Sequence, residues 1–111
     1  MLVFNLRKYA RRYAETDDGK WLNDFEWEKV PVVTISELPG DIIGMYSFGK
    51  IFVLDTNLEI IFSTYIHELR HRWQRVKHPW KFLAGKVYRP LIEKDADAET
   101  EKADKFIVQE L

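Results

Sequence analysis

The stretch from Asp55 to Pro79 constrains this chain more than any other. Asp55, Thr56 or Asn57 can cap a helix, and a helix is expected from about residue 57 to 77. Ile66, Leu69, Trp73 and Val76 recur in it at helical spacing, the pattern of side chains turned towards a core. His78-Pro79 stops it, because the residue before a proline is biased away from helix. The rest of the 111 residues, one domain's worth, has to supply what this helix packs against.

Residues 2–15 read as a first helix. Leu2, Leu6, Tyr9 and Tyr13, with Val3 and Ala10, recur three to four apart, while Arg7, Lys8, Arg11 and Arg12 lie largely off that stripe. Asp17-Asp18-Gly19 breaks the pattern. Trp21 to Trp27 fits either a short helix or a folded loop. Val30 to Ile35 is β-branched apart from Pro31, which suits an edge strand, and Leu38-Pro39-Gly40 is a turn. Ile42 to Ser47 and Lys50 to Leu54, joined near Phe48-Gly49, read as a β-hairpin. Residues 79–89 form a connector in which Trp80 and Phe82 pack. Pro90, at a first-turn position, opens a last helix over about 90–110. Helix, strands, helix, helix gives an α+β domain with a small three-stranded sheet, and residues 1–111 form one unit.

Composition removes several kinds of chemistry. There is no Cys, so a disulfide framework, a thiolate zinc finger, an iron–sulfur cluster and a Cys nucleophile are excluded. Protein ligands for a transition metal have to come from carboxylates and the three His. The net charge of −1 gives no global pull towards nucleic acid or membrane. The longest uncharged run, Ile42 to Gly49, is far short of the ~18 residues of a membrane span. The N-terminal apolar residues precede their basic neighbours, the reverse of a signal peptide. A cytoplasmic protein is expected.

The long helix carries His67-Glu68-Leu69-Arg70-His71, an H-E-x-x-H pattern. Helical residues four apart share a face, so both imidazoles can reach one zinc ion. Glu68, next to the first of them, can take a proton from a metal-activated water and hand it on. The third His, His78, stands seven residues past His71, about 10 Å further along the axis, and reads as a helix-end residue. The third ligand is then a carboxylate. Glu93-Lys94-Asp95-Ala96-Asp97 on the last helix offers Glu93, with Asp97 one turn on to accept the other ring N–H of a liganding His. Small Ala96 allows close helix approach. Ile92, Ala96, Ala103 and Ile107 form one apolar stripe with Glu93 and Asp97 on its edge. Glu99 and Glu101 compete for the ligand role, and Glu93 is preferred.

H-E-L-R-H followed by E-K-D-A-D resembles the gluzincin metallopeptidases, particularly the minimal members called minigluzincins. Residues 44–74 are also similar in layout to SprT-like and ImmA/IrrE-like proteins. The resemblance covers residues 50–97 and implies a zincin-like fold, a zinc cofactor, and hydrolysis of a peptide bond in a peptide or protein substrate. It implies that the strand before the metal helix pairs with an extended substrate, making Ile51, Phe52 and Val53 candidate contacts. It also implies a Tyr or His donor to the oxyanion. Tyr88 is the candidate, since Tyr65, two residues before His67, faces away and reads as core. Such a domain can be held latent by a terminal segment, here the Asp17-Asp18 turn or the C-terminal acids.

A different class of function competes. From Arg70 to Arg89 there are seven Lys or Arg and no acid, interleaved with Trp73, Trp80, Phe82 and Tyr88. Such a surface suits nucleic acid. A zinc-stabilised or nucleic-acid-associated binding module without catalysis is therefore the alternative.

Overall fold

The structure is a computed structural model that describes residues 1–79 and 85–111. Three helices form where the apolar spacing demands them: α1 (Leu2–Ala14), α2 (Leu58–Lys77) and α3 (Gly85–Glu110). Between α1 and the strands the ambiguous Trp21–Trp27 region folds as two short 3-10 turns, Lys20–Asp24 and Trp27–Lys29. The strands are β1 (Val32–Ile35), β2 (Gly44–Ser47) and β3 (Lys50–Leu54). Among the described residues the architecture is α+β, with a small mixed sheet and three helices.

The sheet order is β1-β3-β2. β3 runs parallel to β1, with Val32 opposite Ile51, and antiparallel to β2, with Met45 opposite Phe52. β1 is an edge strand, as Pro31 at its start suggests. The hairpin turns on Phe48-Gly49, both at positive φ (53° and 76°), the left-handed two-residue turn that matches strand twist. Gly44 is needed for another reason. A Cβ there would stand 2.3 Å from Thr64 Cγ2 on α2, so only a glycine lets β2 lie directly on that helix.

One side of β3 and the inner stripes of the helices make the core. Ile51, Val53, Leu6, Phe62, Tyr65 and Leu69 are fully enclosed, and each apolar side chain so buried contributes about 1.5–3 kcal/mol. Tyr65 is a core residue as its spacing implies. Ala96, Ala103 and Ile107 are also buried, and α2 and α3 pack more extensively against each other than any other pair of elements.

Two boundaries differ from expectation. α3 begins at Gly85, so the connector is shorter than 79–89 and Pro90 sits inside the helix, not in its first turn. Proline in a helix interior costs about 3 kcal/mol in isolation, a local cost that the packing of α3 on α2 outweighs. Trp80 and Phe82 lie outside the described residues.

Candidate metal centre

Helix geometry alone sets the first pair. His67 and His71 are one turn apart on α2, and their Nε2 atoms point at each other across 3.1 Å. α3 crosses beside them. Its Glu93 places Oε2 3.6 Å from His67 Nε2 and Oε1 3.3 Å from His71 Nε2. Among the described residues these three form the group able to hold a metal ion. Four ligands at zinc's ~2.0–2.1 Å bond length stand roughly 3.3 Å apart, close to the separations found here.

The protons around the imidazoles strengthen the fit. Thr100 donates its one hydroxyl proton to the Ala96 carbonyl (3.1 Å). Its oxygen, 3.0 Å from His67 Nδ1, therefore accepts, and Nδ1 carries the proton. On His71, Nδ1 lies 2.9 Å from Gln74 Oε1, an amide oxygen that can only accept. Both rings thus hold their proton on Nδ1 and turn an Nε2 lone pair inward. Two lone pairs and a carboxylate converge with no donor between them. That arrangement repels itself unless a cation lies among them.

Burial, then the neighbouring His71, push the His67 pKa down against the opposing pull of Glu93 and Asp97. Its neutral form, the one that binds metal, is favoured. Glu68 is buried on the same stretch of α2. Burial and the Glu93 charge raise its pKa, with His71 acting in the other direction.

The pair lies on one wall of a cleft of about 940 Å³. Gly44, Met45 and Tyr46 of β2 line the facing wall, and Glu68, Glu93 and Arg89 complete the lining. This corrects the expectation for substrate contact. β3 is the central strand with both edges paired, and Ile51 and Val53 are fully buried. Ile51, Phe52 and Val53 therefore have no free backbone edge to offer a substrate. Strand order is a long-range property, and the hairpin alone did not reveal that β1 would cover β3's other side. The strand with an edge beside the cleft is β2.

Other candidates sort by position. Asp97 Oδ1 is 3.6 Å from His67 Nδ1, so it lies on the expected side of the ring, but the closer partner is Thr100. Glu99 is not beside the histidines. It is buried and accepts hydrogen bonds from Trp21 Nε1 (2.9 Å) and Tyr13 OH (3.3 Å). Glu101 is exposed. Tyr88 is half-buried on α3. The described tyrosine lining the cleft is Tyr46, whose hydroxyl accepts a hydrogen bond from Arg72 (3.2 Å). His78 ends α2. Neither the Asp17-Asp18 turn nor the C-terminal acids are among the described lining residues.

Much of the basic aromatic segment is engaged internally. Arg70 stacks on Trp73 and Trp21, 3.8 and 4.9 Å from the ring centroids, and pairs with Asp95. Trp73 donates its indole N–H to Asp24 (3.1 Å), and Lys77 lies 4.0 Å from the same carboxylate. No helix among the described residues is long and apolar enough to cross a membrane.

Gln74, Thr100 and Asp95 were missed as supports of the site. Gln74 is three residues past His71, and Thr100 is seven past Glu93, so both spacings were visible once the ligand faces were known. No protein-family model, curated protein or solved structure matches the chain.

Proposed function

We propose that this chain is a zinc-dependent metallopeptidase of the cytoplasm, with His67, His71 and Glu93 holding the metal and Glu68 as the proton-transferring group. The observation that carries the reading is the convergence of two Nε2 lone pairs and a Glu93 carboxylate beside the buried Glu68, on the wall of an open cleft. A zinc ion bound there supplies a Lewis acid that polarises a carbonyl and makes a water easier to deprotonate.

The chain's own residues do the rest. Glu68 takes a proton from the water that attacks the carbonyl carbon, and returns it to the amine nitrogen as the C–N bond breaks. Its raised pKa suits both halves of that exchange. An extended peptide adds to the edge of β2, which presents Met45 and Tyr46 beside the histidines. Tyr46, which lines the cleft and is held by Arg72, is the better candidate to donate to the developing oxyanion.

Metal analysis of the purified protein beside His67→Ala tests the ligand set. One zinc per wild-type chain and none in the variant is expected, and a metal-free wild type after zinc-replete purification sinks the reading. Glu68→Gln separates enzyme from scaffold. It should keep the metal and lose cleavage of an unstructured protein. Equal cleavage by both proteins removes Glu68 from the mechanism.

A further inference from the structure

The two imidazoles are held in the same tautomer by different means. His67 relies on a contact local to α3, through Thr100 and Ala96. His71 relies on Gln74, and Gln74 is itself fixed from three directions. Its Nε2 donates both protons, one to the Ile92 carbonyl (2.9 Å) and one to Asp95 Oδ2 (2.8 Å). The amide nitrogen is thereby committed to α3, and Oε1 must face His71 Nδ1. Asp95 in turn receives Arg70 through two bonds, Nε to Oδ2 at 2.7 Å and Nη2 to Oδ1 at 3.1 Å. Arg70 lies against the faces of Trp73 and Trp21, and Trp21 is tied to Glu99 of α3.

We propose that Gln74 is the positioning residue for His71. In this role it locks the proton on Nδ1 and the lone pair on Nε2, and the Arg70–Asp95 pair holds Gln74 in that orientation. An amide left free could rotate by half a turn and present Nε2 to the ring, which would force the opposite tautomer and turn a proton towards the metal position. Asp95 and the Ile92 carbonyl remove that choice, because both are acceptors. The grip extends from α3 through α2 to the 3-10 turn that carries Trp21. Metal affinity is thus coupled to the docking of a segment that never touches the cleft.

The inference rests on the metal reading only for its effect on affinity. Its tautomer half stands without any metal, so the two can fail separately. The test is nitrogen-15 NMR of the imidazoles in metal-free protein at pH 8, with zinc affinity measured by competition against a chelator. Three histidines make assignment direct. In the wild type, His71 should carry its proton on Nδ1. In Gln74→Leu it should revert to the Nε2–H tautomer that a free imidazole favours in water, and zinc should bind about 10–100-fold more weakly. Should Gln74→Leu fail to fold, Asp95→Asn carries the test. Asp95 is partly exposed, and the change weakens the grip without removing the amide. A mixed tautomer and a smaller loss of affinity are expected. An unchanged His71 tautomer in the folded variants overturns the proposal. A wild type that binds no zinc but shows the tautomer change overturns only the metal reading.

Discussion

Two glutamates on α3, less than two turns apart, sit in opposite polar environments. Glu99 is enclosed and meets donors: an indole N–H, a phenol and the Lys102 ammonium. Glu93 is half-exposed and meets acceptors, the two Nε2 atoms. The first cluster is complete within the protein and fastens α3 to α1 and the first 3-10 turn. The second is incomplete, since among the described residues Glu93 has no Lys or Arg partner, only the two imidazoles. Burial of a carboxylate is thus a poor guide to function here. The sign of its neighbours is the better one.

Exchanging the roles of the two residues is the sharpest way to break this comparison. Glu93→Ala should weaken zinc binding at least ~100-fold, read by chelator competition, while the metal-free protein keeps its stability within ~0.5 kcal/mol. Glu99→Ala should do the reverse. It orphans the Trp21 and Tyr13 donors and should cost on the order of 3 kcal/mol in chemical denaturation, with zinc affinity of the folded protein lowered far less than in Glu93→Ala, only through the loosened contact of Trp21 with Arg70. If both variants lose metal and stability together, the two clusters are one unit and the distinction fails.

Metal removal sharpens the same point. With free zinc at ~1,000 times its dissociation constant, binding adds about 4 kcal/mol to the stability of the folded state. A chelator should therefore lower the melting temperature of the wild type and of Glu99→Gln, but leave Glu93→Ala where it was. The smallest effect concerns a hydroxyl in neither cluster. Tyr65 OH is buried beside Arg7 without closing a hydrogen bond of ordinary geometry. Burial pushes its pKa from 10.0 up to about 12. Between those values the unfolded chain releases the proton and the folded chain keeps it, so stability falls as pH rises through that window and is unaffected below it. Tyr65→Phe should be neutral or slightly stabilising at pH 7. It should also remove part of the wild type's alkaline loss, measured as the difference in denaturation midpoint between pH 9 and pH 11.

The sequence was most legible where structure is local. Periodicity gave α1 and α2, Phe48-Gly49 gave the hairpin, and the four-residue spacing of His67 and His71 gave the pair. Glu93 was preferred over Glu99 from its place on the apolar stripe, and Glu99 proved to serve the core. Illegible were the properties that need two distant segments at once. The parallel pairing of β1 with β3 joins residues far apart in sequence, and it moved the free edge from β3 to β2. Gln74 looks like any polar helical residue until Ile92 and Asp95 arrive from α3. Pro90 misled for a different reason, since a preference for the first turn does not forbid an interior position when packing outweighs the local cost.

Gly44 carries a last consequence. Because Gly44 has no side chain, the β2 main chain there comes down on the methyl group of Thr64, and that small side chain sets the spacing between the strand and α2. The opposing walls of the cleft are gauged against each other through that one methyl, on a β-branched side chain with few rotamers. In the proposed peptidase, an extended peptide would meet a slot whose width is held at that contact, and selectivity would fall chiefly to what can reach along the strand.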